Sequence, residues 1–112
     1  MSLENKDINS VAMEVIMNSG DAREKIDLAL VEIANFNFNQ ADELLIEAEK
    51  MLNKAHNAQT SVIQSQVSGE NVEYSLLFIH AQDTLMTITT ELRMTKKMMP
   101  IFQILINKEE KK

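Results

Sequence analysis

The chain has 112 residues, a net charge of −6 and no cysteine. That length suits one domain with its own core and is short of two. The negative charge speaks against nucleic acid or an anionic membrane as partner. The missing thiol excludes a disulfide frame, a thiolate zinc site and a cysteine nucleophile.

Two glycines, one proline and 45% hydrophobic residues favour helix throughout. Aromatic residues make up only 4%, so eight methionines and the aliphatic side chains must fill the core. The first residues lack a hydrophobic leader, and no apolar run approaches the roughly 20 residues of a membrane span. The expectation is a soluble, cytoplasmic, all-α domain over residues 1–112, frayed at 1–6 and 108–112.

A first helix should start near Asp7 or Asn9, either of which can cap free N–H groups. Ile8, Val11, Ala12, Val15, Ile16, Ser19, Ala22, Ile26, Ala29, Leu30 and Ile33 keep a helical apolar period. Gly20 interrupts the run, and one helix with a small residue for close packing is the expected outcome. Asn35–Phe36–Asn37–Phe38–Asn39 predicts a turn, with an asparagine in the left-handed conformation.

The second helix is predicted from about Asn39 to Gln66, buried along Ala41, Leu44, Leu45, Ala48, Met51, Leu52, Ala55, Gln59, Val62 and Ile63. Glu43, Glu47, Lys50 and Lys54 mark its wet side. His56 lies at the edge of the apolar stripe. A packed histidine bonded to a neighbouring helix is expected there before a catalytic one. Ser68–Gly69–Glu70–Asn71 predicts the second turn.

The third and longest helix is predicted from Val72 or Ser75 to near Asn107, kinked or loosened at Pro100. Short connections make the three helices run up-down-up. Phe78, Ala81, Leu85, Ile88 and Leu92 form the third helix's apolar stripe. His80, Asp83, Thr87 and Thr90, continued by Met94 and Ile101, form a second stripe too polar for a core. Two solutions stand open: exposure to solvent, or a symmetry axis where copies of the stripe meet. The stretch from Tyr74 to Thr87 thus carries the chain's chemistry, a nucleophilic imidazole beside a carboxylate and hydroxyls.

His80–Ala–Gln–Asp83, followed by Leu85–Met86–Thr87, resembles the signature His-Ala-Gln-Asp-His-Leu-Met-Thr. That signature belongs to the lactose/cellobiose-type enzyme IIA of the bacterial phosphoenolpyruvate-dependent sugar phosphotransferase system. Asn18–Ser–Gly–Asp–Ala–Arg23 is similar to the family's first-helix motif. Ala41–Asp42, Ala55–His56 and Gln59–Thr60 are similar to its second helix. Phe36–Asn37–Phe38–Asn39–Gln40–Ala41 stands where the family usually has Gly-Asp-Phe and then alanine. Thr84 stands in place of the family's second histidine.

The resemblance implies a homotrimer of three-helix protomers, nine helices in all, that carries a phosphoryl group on His80. HPr would be the donor and a cysteine of the cognate enzyme IIB the acceptor, during uptake of a β-linked disaccharide of lactose, cellobiose or chitobiose type. Gln82, Thr84 and Thr87 would neighbour the phosphoryl group. Three copies of Asp83 would line the axis and hold Mg²⁺. A neutral imidazole is a competent nucleophile near pH 7, and three carboxylates supply hard oxygens. The rival reading is a helical scaffold or regulatory protein without phosphoryl transfer. A metal-dependent hydrolase is disfavoured, because two separated histidines and one aspartate make no dense ligand set.

Overall fold

The computed structural model describes residues 7–67, 69 and 75–110. Three helices follow in order: α1 (Ile8–Ala34), α2 (Phe38–Val67) and α3 (Leu76–Glu110). No strand occurs among the described residues. The expected fraying at 1–6, most of the second turn, Tyr74 and the last two lysines lie outside them, whereas Lys108, Glu109 and Glu110 extend α3.

Asp7 caps α1 from extended backbone, its carboxylate accepting the Asn9 N–H at 3.3 Å. The helix passes unbroken through Gly20, as the apolar period requires. Close packing is not the glycine's role, however. It is exposed, and a Cβ built there would meet nothing within 4 Å.

Ala12, Ser19, Ala22 and Ala29 alternate on the buried side of α1 with Val15, Ile26 and Ile33. Ala41, Leu45, Ala48, Leu52 and Ala55 do the same on α2 at steps of four and three. Small residues let the backbones approach, and the large ones interdigitate, each contributing about 1.5–3 kcal/mol by burial. Phe78, Ala81, Leu85, Ile88, Leu92 and Met99 close the core from α3. Leu30, by contrast, is exposed despite fitting the apolar period. α3 continues past Pro100, which sits on its exposed side.

The first turn corrects the sequence expectation. The left-handed residue is Phe36, with φ 66°, and not an asparagine. The Asn37 N–H donates to the Glu32 carbonyl at 2.8 Å and the Phe36 N–H to the Ile33 carbonyl at 3.0 Å. This pairing places Phe36 in the slot that glycine usually fills after a helix. Asn37 is instead used by its side-chain amide, which donates to the Glu32 carboxylate at 2.8 Å. Phe36 is 63% exposed and gains little burial in return. Phe36→Gly is therefore expected to raise stability by about 0.5–1 kcal/mol, read as a higher urea midpoint at unchanged slope. A lowered midpoint would show that the ring contributes packing that outweighs its backbone strain.

Surface ion pairs tie the helices, among them Arg23 to Glu91 at 2.9 Å, Lys25 to Glu47 at 3.2 Å and Lys96 to Glu49 at 3.2 Å. Partly exposed pairs contribute about 0–1 kcal/mol each, so they mark register more than they stabilise. α1 packs most extensively on α2, while α2 and α3 touch least. The result is a rod of 64 × 21 × 20 Å with a radius of gyration of 17.8 Å. A compact chain of this size measures about 13 Å. One side of α3 remains uncovered.

Candidate functional site on the outer side of helix α3

The uncovered side of α3 carries the residues singled out by the sequence. His80, Asp83, Thr87, Thr90, Met94 and Ile101 are all exposed, opposite the buried row from Phe78 to Met99. Burial of the apolar row orients the helix, and the helical period then presents the polar row outward. The same side carries large apolar side chains that the sequence reading did not assign to this stripe: Leu76 at 70% exposure, Met86 at 65%, Ile104 at 57% and Leu105 at 56%. At about 100° per residue each falls within about 60° of Asp83 around the helix, and that period was the available signal. So long an apolar strip on an exposed helix face marks an interaction surface.

The structure separates the residues expected around the imidazole. Glu91 holds Arg23 of α1, so its flank of α3 faces α1. His80 precedes Glu91 by about three full turns and projects from that same flank. Lys96 holds Glu49, so its flank faces α2. Gln82 precedes Lys96 by about four turns and belongs to this second flank. Asp83 lies between the two, on the outward face. Residues two apart on a helix point to opposite sides, and Gln82 does not share a face with His80.

Thr84 and Thr87 lie on the His80 side. The Thr84 hydroxyl donates to the His80 carbonyl at 2.9 Å, and the Thr87 hydroxyl to the Asp83 carbonyl at 2.8 Å. Both hydroxyl protons are thus committed to the helix backbone, leaving only oxygen lone pairs outward. A phosphoryl oxygen, itself an acceptor, gains no donor from either hydroxyl while these bonds last.

His56 departs from expectation. It is exposed on α2 and not packed, and its carbonyl accepts the Thr60 hydroxyl at 2.8 Å. Its position at the end of the narrow alanine-rich seam leaves the ring outside the core. Among the described residues no group of three or more His, Cys, Asp or Glu could hold a metal within one chain. No helix among the described residues is long and apolar enough to cross a membrane.

Known proteins share this fold. Residues 10–103 match the family model described as the lactose/cellobiose-specific IIA subunit of the PTS system. The lactose-specific EIIA component of Lactococcus lactis subsp. lactis is 35% identical over 85 residues, covering 76% of this chain and 81% of that one. The cellobiose-specific enzyme IIA from Bacillus anthracis superposes with a TM-score of 0.84 at 33% identity, over 96% of this chain and 95% of the other. IIA(Chitobiose), solved in complex with HPr from the N,N'-diacetylchitobiose branch of the Escherichia coli phosphotransferase system, gives 0.74 at 27% identity, over 89% and 97%. An exposed histidine on the third of three helices, in a chain matched over nearly its whole length, makes this protein a member of the lactose/cellobiose-specific IIA family of the PTS system.

Proposed function

We propose that the protein accepts a phosphoryl group from HPr on His80 and passes it to a cysteine of its cognate enzyme IIB. The setting is cytoplasmic, during uptake of a β-linked disaccharide of lactose, cellobiose or chitobiose type. The observation that carries this reading is the exposed imidazole of His80, held on a rigid helix whose other side is buried. Exposure matters because two proteins must each bring a reacting atom in line with the same ring nitrogen. In the first step the His80 nitrogen lone pair forms an N–P bond while the N–P bond of the donor breaks, its electron pair staying on the donor imidazole. In the second, the acceptor thiolate attacks phosphorus and the His80 N–P bond breaks. Neither step changes an oxidation state.

With HPr, the general phosphotransferase enzyme and phosphoenolpyruvate, the chain should gain a label that is acid-labile and base-stable, as phosphohistidine is. A chain that stays unlabelled would instead fit a helical scaffold of the same family.

The assembly that suits the uncovered side of α3 is a homotrimer of nine helices, with these sides turned to a threefold axis. Asp83 then meets its two copies. Three adjacent carboxylates repel unless a cation or shared protons relieve them, and their hard oxygens suit Mg²⁺. One chain offers only one of these carboxylates, so the donor set fits such an ion only where three chains converge. The ion would supply charge neutralisation at the axis.

Asp83→Leu removes the repulsion and adds apolar surface, about 1.5–3 kcal/mol per side chain if fully buried. The variant trimer should melt higher than wild type and lose all response to a chelator, while His80 still takes up the label. Dissociation of Asp83→Leu, or a melt no higher than a chelator-indifferent wild type, would remove Asp83 from the axis.

A further inference from the structure

A crevice of about 340 Å³ opens between the start of α2 and the C-terminal half of α3. Its floor is apolar: Leu45 and Met99 are buried there, Phe38 is half-buried against the core, and Pro100 forms one wall. Its rim is polar, with the exposed side chains of Asn39, Asp42, Lys96 and Gln103. That volume falls at the low end of the roughly 300–1,000 Å³ of small-molecule sites. At about 1.5 Å per residue, Lys96 stands about 24 Å along α3 from His80, so the crevice is separate from the phosphoryl site.

Pro100 brings a hydrogen-bond acceptor to this crevice. A proline has no N–H, so the Lys96 carbonyl one turn earlier lacks its helical partner and lies beside the proline ring. The Asn39 and Gln103 amides each offer a donor and an acceptor, and the Asp42 carboxylate offers acceptors. Charge favours neither sign of ligand. The Lys96 ammonium is paired with Glu49 at 3.2 Å, and Asp42 stands one turn from the positive end of the α2 dipole. The crevice therefore suits a neutral molecule with an apolar face and a rim of groups that both donate and accept. A sugar ring has that form, with C–H bonds on its faces and hydroxyls around its edge. We propose that the crevice binds a neutral saccharide, its ring face on Phe38, Met99 and Pro100 and its hydroxyls on Asn39, Asp42 and Gln103. The choice of β-linked disaccharides as first probes rests on the uptake reading above; the chemistry of the crevice does not.

Amide chemical shifts of the unphosphorylated chain test this, with cellobiose, lactose and N,N'-diacetylchitobiose as titrants. The amides of Asn39, Asp42, Met99 and Gln103 should shift saturably at millimolar sugar, while those around His80 stay in place. Asp42→Ala and Gln103→Ala should each weaken binding about tenfold, the weight of one hydrogen bond. Both side chains are exposed, so the fold persists in the variants. Shifts that fail to saturate at tens of millimolar, that centre elsewhere on the rod, or that persist undiminished in the variants would each overturn the site. Tighter binding of a sugar phosphate than of its neutral sugar would overturn the class of ligand. No phosphoryl label enters this measurement. A chain that takes no label therefore leaves the saccharide result standing, and a chain that binds no sugar leaves the carrier reading standing.

Discussion

His80→Ala is expected to abolish labelling by HPr entirely, while its thermal melt stays close to that of wild type. The imidazole is exposed and contributes nothing to the core, so removing it deletes the nucleophile and leaves the packing from Phe78 to Met99 in place. His56→Ala should keep full labelling. His56 is exposed as well, so accessibility does not distinguish the two rings. The difference is placement: His80 adjoins the long apolar side of α3, and His56 sits on α2 above an alanine-rich seam. Label retained in His80→Ala, or moved to His56, would show the assignment to be wrong. Mass spectrometry at alkaline pH, where the N–P bond survives, locates it directly.

The second large effect concerns assembly. Met94 is 51% exposed and Ile101 54%, both on the outward side of α3. In a threefold arrangement each meets its own copies, and a lysine at either position would bring three ammonium groups together in an apolar setting. Met94→Lys/Ile101→Lys should therefore give a monomer in light scattering at micromolar concentration, against a trimer for wild type. Helical signal should persist, since neither side chain belongs to the core of the single chain. A double variant that remains trimeric would place the axis elsewhere on the rod.

The helices and their buried faces were legible in the chain itself, because each interior position pairs with others three and four residues away. The period from Ile8 to Ile33, the alanine–leucine alternation of α2 and the row from Phe78 to Leu92 all follow from that local rule. So does the outward direction of His80 and Asp83. The family was legible too, since its histidine motif is a contiguous string on one helix.

What tertiary structure alone decided involves neighbours that sequence spacing does not encode. Phe36 takes the left-handed position because the end of α1 must turn into α2 at that residue, whatever side chain it bears. Gly20 proved free of close contact because its side of α1 faces outward. His56 is exposed because α3 leaves much of α2 uncovered. The split between His80 and Gln82 combines helical period with packing: period puts them on opposite flanks, and the ion pairs of Glu91 and Lys96 reveal which helix each flank faces. A linear motif lists these two residues side by side, while the helix turns them apart by more than half a revolution of its surface in one direction and less in the other. Which surfaces meet is settled by how whole helices pack, a property of all three elements at once.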